Sequence, residues 1–184
     1  VSELERARTV ILVEGASDRA ALEALAARLG LDLSARRTVV VSMGGATNIH
    51  RFVERLGPRG LGLRLGGLCD AGEEHHFRAA LGRSGLGTEL EPQGFHVCVA
   101  DLEDELIRAL GVAEVERVIA EQDELRSLRT FRNQPAQRGR PADQQLRRFL
   151  GTTSGRKIRY GRVLVEALEP TLVPEPLVRA LDRG

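Results

Sequence analysis

Three apolar runs in this chain each end in a carboxylate and lead into a helical pattern, and that repetition restricts the fold more than any other feature. The first, Thr9-Val10-Ile11-Leu12-Val13, closes at Glu14, and Gly15-Ala16-Ser17-Asp18 then opens an Ala/Leu-rich amphipathic stretch that reaches Leu29. The second, from Leu63 to Cys69, ends at Asp70 and is followed by Ala71-Gly72-Glu73-Glu74. The third, from Phe95 to Ala100, ends at Asp101, with Glu103 two residues on. Short apolar runs alternating with helices predict a mainly parallel α/β sheet buried on both faces. A charge ending such a strand costs free energy unless a donor or cation meets it, so these acids belong in the open crevice at the carboxyl edge of the sheet. Glu14, Asp18, Asp70, Asp101 and Glu103 are therefore expected on one rim, where hard oxygen donors suit Mg²⁺ or Mn²⁺.

The periodicity places strands near 9–14, 38–43, 62–69 and 95–100, and helices near 17–29, 47–57, 73–82, 101–110 and 112–125. Gly44-Gly45, with Asn48 beyond, marks a turn whose backbone amides could face an anion. Composition shifts after Glu124. Two prolines and a glycine make 133–141 a loop, and helices follow at 142–150, at 156–168 and from about 174–176 onward. The expected division is an α/β core over 1–125 and a basic helical extension over 126–184, packed on the core or completing it. No internal repeat is present.

At 184 residues the chain suits one α/β domain with a modest extension. Aromatics are only 3% of it, so the core must be aliphatic and base-stacking platforms are not expected. Cys69 and Cys98 fall inside predicted strands at no metal or redox spacing and read as reduced core residues. The absence of a charged leader and of any apolar run long enough to span a bilayer predicts a cytoplasmic chain with no membrane partner.

Charge is unevenly spread. Residues 126–162 hold eleven Arg/Lys against one acid, Asp143, a net of +10, whereas the rest of the chain nets −9. Carboxylates that hold cations beside arginines that neutralise phosphates suit an enzyme acting on a polyanion. A solvated helical face is the alternative reading of the basic run. Lys157 is the single lysine among 26 arginines, a compact ammonium where the chain otherwise uses guanidinium. His75 and His76 point about 100° apart on a helix and read as solvated rather than as joint ligands. Serines 17, 42 and 154 show no nucleophile elbow.

Taken together, Val13-Glu14-Gly15-Ala16-Ser17-Asp18, Met43-Gly44-Gly45-Ala46-Thr47-Asn48, Leu68-Cys69-Asp70 and Asp101-Leu102-Glu103 resemble the Toprim domain. They are most similar to the Toprim nuclease domain of the overcoming-lysogenization-defect (OLD) family of ATP-dependent endonucleases, over roughly residues 8–168. The resemblance implies a Rossmann-like Toprim fold of about four mainly parallel strands flanked by helices, with a helical C-terminal extension. It implies metal-dependent hydrolysis of DNA phosphodiester bonds with two Mg²⁺ or Mn²⁺ ions, the clamp that in-line displacement requires. On that likeness Glu14, Asp70 and Lys157 would be catalytic, and Glu14, Asp18, Asp70, Glu73, Asp101 and Glu103 would hold metal. Arg138, Arg140, Arg147, Arg156 and Arg159 of the basic segment are the expected DNA contacts.

The sequence departs from the family pattern in two places. The second aspartate of Asp-x-Asp is missing, since the chain reads Asp70-Ala71-Gly72, with Glu73 or Glu74 left to supply the carboxylate. No Gly-x-x-x-x-Gly-Lys-Ser/Thr motif occurs, so the expectation is a stand-alone version without the ATPase domain, with a separate ATPase or a repair or defence protein as possible partner. The competing reading is a catalytically degenerate Toprim module that binds nucleic acid or a partner protein. A phospho-accepting receiver domain is disfavoured, because Lys157 opens a helix instead of closing a fifth strand.

Overall fold

The computed structural model describes residues 3–183. In chain order the elements are α1 (Glu3–Arg6), β1 (Thr9–Val13), α2 (Ala16–Arg28), β2 (Thr38–Ser42), α3 (Ile49–Leu56), β3 (Arg64–Asp70), α4 (Glu74–Arg83), β4 (Phe95–Cys98) and α5 (Leu102–Leu110). They continue with α6 (Val112–Glu121), α7 (Leu125–Arg132), α8 (Ala142–Leu150), α9 (Ser154–Ala167) and α10 (Glu175–Asp182). The four strands form one sheet in the order β2-β1-β3-β4, with every neighbouring pair parallel. The chain steps one way from β1 to β2 and then returns to the other side of β1 for β3, so the strand order reverses between β1 and β3. Open α/β sheets present their crevice at such a switch point, outside the carboxyl ends of the strands.

β1 is central and buried on both faces, and its alternation divides the core. Ile11 and Val13 face a cluster built with α2, α5, α6, α8, α9 and α10, while Val10 and Leu12 face a second one with α3 and α4. The basic C-terminal helices thus share a core with the first α/β unit. α9 lies so close on α2 that a Cβ at Gly161 would sit 2.8 Å from the Ser17 carbonyl oxygen. Gly67 serves the sheet in the same way, with φ +158° and a would-be Cβ 1.9 Å from the Leu12 carbonyl oxygen. Only glycine lets β3 approach β1 there.

The expected strands and helices are found with small shifts. β3 starts at Arg64 because Gly62, at φ +68°, is still turning, and β4 stops at Cys98, four residues long. The helix expected over 112–125 ends at Glu121; Asp123, at φ +59°, breaks it, and α7 follows where no helix was expected. No glycine or proline marks that break, so local sequence rules miss it. α9 begins two residues earlier than expected, where the Thr153 side chain accepts the Arg156 N–H. Both cysteines are buried and unpaired; burial pushes the Cys69 thiol up to about 12 and that of Cys98 up as well, so neither is a ready nucleophile. Among the described residues no helix is long and apolar enough to cross a membrane.

Candidate functional site

The acids gather where the strand order reverses. Glu14 follows β1 directly, and its Oε1 accepts the backbone N–H of Asp70, the last residue of β3, at 3.1 Å. Asp70 is half-buried and its carboxyl is pushed up to about 8, by burial first and then by the charges of Glu14, Asp18 and Asp101. Glu14 is likewise held above the usual carboxylate range, by burial and by Asp18 and Glu73, against the Asp70 N–H and the Lys157 ammonium. Asp18, in the first turn of α2, folds back to accept the Gly15 N–H at 2.7 Å; burial still raises its proton affinity. That bond is also a helix-capping arrangement, so Asp18 shapes the entry to α2 whatever else it does.

The other half of the rim comes from the start of α5. Asp101 caps that helix through Asp104 N–H at 2.9 Å, and its second oxygen takes Arg147 from α8 at 2.8 Å and 2.6 Å. Glu103 is only 3% exposed. Its Oε2 meets Lys157 Nζ at 3.2 Å, while Oε1 is buried with no hydrogen-bond partner among the described residues. Lys157 loses proton affinity to burial but gains more from Glu103, Asp18 and Asp101, so its ammonium is held above the usual lysine range. Glu14, Asp18, Asp70, Asp101, Glu103 and Lys157 are therefore linked electrostatically at the carboxyl edge of the sheet.

The two glutamates after Asp70 diverge. Glu73 adds its charge to Glu14 and lies 3.3 Å from His76. Glu74 turns away to Arg78, whose Nε is 2.8 Å distant, and its charge acts on Cys69 within β3. A Cβ added at Gly72 would meet nothing within 4 Å. Across the crevice the Gly45 amide, in the expected anion-facing turn, donates to the Glu14 carbonyl oxygen at 2.9 Å, and Asn48 Nδ2 braces the turn through the Met43 carbonyl oxygen.

The five expected DNA-contact arginines separate into distinct settings. Arg140 and Arg147 line an open cavity of about 550 Å³ together with Asp101, Glu103 and Lys157. Arg148 and Gln144 share that wall and were not singled out by the sequence. Arg138 lies on the exposed 133–141 loop, its Nε donating to the Asn133 carbonyl oxygen. Arg156 and Arg159 bind Glu124 instead, at 2.8 Å and 2.5 Å, and the Arg156 guanidinium also lies 4.3 Å over the Phe149 ring. Glu124 additionally accepts the hydroxyl of the buried Tyr160 at 2.9 Å. The sequence shows no sign of this node, because its partners lie 32 to 36 residues away.

Among the described residues no group of three or more His, Cys, Asp or Glu side chains is assembled closely enough to hold a metal ion. Glu14 and Asp18 are tied by backbone amides, Asp101 by an amide and Arg147, and Glu103 by Lys157 instead. The donor chemistry nevertheless fits a hard divalent cation: every donor is a carboxylate oxygen, Asp70 is pushed toward neutrality by burial and then by its acidic neighbours, and one oxygen of Glu103 is buried without a partner among the described residues.

Residues 7–71 match the sequence model of the overcoming lysogenization defect protein-like TOPRIM domain. A search of curated proteins finds no match. Among solved structures, the C-terminal region of the Xanthomonas campestris pv. campestris OLD protein, phased with platinum, aligns with a TM-score of 0.75 at 27% identity, over 99% of this chain and 94% of that one. The same region phased with mercury gives 0.73 at 26%, over 96% and 94%. The C-terminal region of the Burkholderia pseudomallei OLD protein, at 21% identity, TM-score 0.70 and 96% of both chains, shares the fold. With the family match over residues 7–71 and the structural match over 99% of its length, the chain is similar to the Toprim domain of OLD-like proteins.

Proposed function

We infer that this chain is a metal-dependent nuclease that hydrolyses phosphodiester bonds in DNA. The observation that carries the reading is the pairing of Glu14 with Asp70 at the strand-order reversal, where burial first, and then the charges of Glu14, Asp18 and Asp101, push Asp70 up to about 8. A crevice that strains its own carboxylates in this way is short of positive charge. Glu14 and Asp70 would hold Mg²⁺ or Mn²⁺, with Asp18 and Glu73 next to them, and Asp101 and Glu103 on the α5 side of the rim. When bound, such ions supply Lewis acidity and a water of lowered pKa. Lys157, already turned toward the acids by Glu103, would meet a non-bridging phosphate oxygen as a point charge. Arg140, Arg147 and Arg148 on the neighbouring cavity wall would neutralise flanking phosphates. In this reading 126–184 completes the nuclease unit, and any ATP dependence comes from an ATPase partner.

The degenerate module is the second reading, favoured by one observation: Gly72 offers no carboxylate where the family pattern has one. Both are tested by incubating supercoiled plasmid with the purified chain and Mn²⁺ or Mg²⁺. Nicking or degradation that disappears with EDTA and in Glu14→Ala supports the nuclease. Inertness of both proteins, with activity gained in Gly72→Asp, would identify a silenced enzyme, since the open space at Gly72 accepts the added side chain. Equal cleavage by wild type and Glu14→Ala would reject the assignment.

A further inference from the structure

The amino edge of the sheet, opposite the acidic rim, gathers arginines that the sequence scatters. The backbones of Arg8, Arg37 and Arg64 lie side by side, with Arg8 N–H donating to the Arg37 carbonyl oxygen at 2.7 Å and Arg64 N–H to that of Arg8 at 2.9 Å. The tally of charge along the chain hides this basic surface, because it falls in the segment that is acidic on balance.

At its β2 end lies a cavity of about 650 Å³, within the size range of small-molecule sites. Arg6, Arg19 and Arg37 stand on its wall with Ser34 and with Thr38, whose hydroxyl donates to the Arg36 carbonyl oxygen at 3.4 Å. Among the described residues the one carboxylate there, Glu23, is already taken by Arg19 at 2.7 Å, which leaves Arg6 and Arg37 without a described acid on that wall. Arg37 adopts φ +55°, a left-handed conformation that costs a non-glycine residue conformational energy, and its Nε is held at 2.6 Å on the Arg6 carbonyl oxygen. A strained arginine fixed in a cationic cavity is the arrangement for planar, forked recognition of a phosphate. Leu33, Val39 and Val40 give the same wall an apolar side.

We propose that this cavity binds a phosphomonoester of mononucleotide size, with Arg6 and Arg37 on the phosphate and the apolar side against the rest of the ligand. The site shares no residue with the acidic rim and does not rest on the nuclease reading. Isothermal titration calorimetry of the full chain in EDTA, with inorganic phosphate and then adenosine monophosphate, tests it. Saturable binding of the nucleotide is expected, tighter than that of phosphate, and weakened about tenfold by Arg6→Gln, the loss of one charge-assisted pair. Arg37→Gly relieves the strained backbone, so its thermal midpoint should hold or rise while affinity falls; that combination separates loss of a ligand contact from loss of fold. The proposal is overturned if neither probe binds, if both variants bind as the parent does, or if citrate binds as tightly as the nucleotide. It is also overturned if unphosphorylated-end duplex DNA occupies the site in preference to the nucleotide, which would make the surface a backbone contact.

Discussion

Replacing Gly161 with alanine puts two physical rules in opposition. In an ordinary helix interior Gly→Ala stabilises by about 1 kcal/mol, because the unfolded chain has less freedom to lose. Gly161 is not in an ordinary position: its Cβ would lie 2.8 Å from the Ser17 carbonyl oxygen, 3.5 Å from the Ser17 carbonyl carbon and 3.7 Å from the Ala21 Cβ. To restore the 3.4 Å of ordinary contact, α9 and α2 must part by about 0.6 Å along a shared buried face. Overfilling of a packed core costs about 1–3 kcal/mol. With a central cost of about 2 kcal/mol against the propensity gain, Gly161→Ala should destabilise by about 1 kcal/mol, a fall of roughly 2–4 °C in Tm for a chain of this size. Urea unfolding should show a lower midpoint at an unchanged slope. The displacement also reaches the site, because Ser17 adjoins Asp18 and Lys157 lies one helical turn before Gly161. If cleavage is observed in the parent, it should fall more than the stability loss accounts for. A variant with a raised Tm would refute the reasoning, since it would mean the propensity gain is unopposed and the two helices do not meet as described.

Three further outcomes follow. Asp70 is held up to about 8 in the fold against an ordinary 3.8, so its contribution is fully present below pH 3.8, where both states are protonated, and is lost as pH rises toward 8. Asp70→Asn should flatten that decline in metal-free buffer and be the more stable protein near pH 8, and parallel pH profiles for parent and variant would count against it. Glu124→Gln should cost about 2 kcal/mol in urea unfolding, because it weakens the hold on Arg156 and Arg159 together, whereas Tyr160→Phe should cost about 1 kcal/mol; an unchanged midpoint in Glu124→Gln would dismiss the node. DNA affinity should fall steeply with salt, and Arg140→Ala combined with Arg148→Ala should make that dependence shallower, while Arg159→Ala leaves the slope alone; the reverse order would move the DNA path away from the Lys157 cavity.

Much of the framework can be read from local pattern. The alternation of apolar runs with amphipathic stretches predicts four strands and most of the helices, because periodicity of two or 3.6 is a property of neighbouring residues. Strand ends are legible for the same reason: a charge that closes a buried run has few places to go, and Glu14, Asp70 and Asp101 lie at the edge that rule assigns. Helix α7 was not legible, since its separation from α6 depends on one non-glycine residue in a left-handed conformation, Asp123.

What the sequence by itself determined is therefore the parallel α/β plan and the identity of the acids on its rim, both consequences of short-range spacing. Tertiary structure alone decided their company. Lys157 meets Glu103, and Arg147 meets Asp101, across chain separations that only the packing of α8 and α9 on the core can close. The same packing sent Arg156 and Arg159 to Glu124 and left Arg140 and Arg148 on the cavity wall, although all four look alike in a charge tally. It also set Glu73 apart from Glu74 and drew Arg8, Arg37 and Arg64 together at the amino edge. The physical reason is that charges act through space, with strengths set by distance and burial, and neither quantity is encoded in a residue's neighbours along the chain.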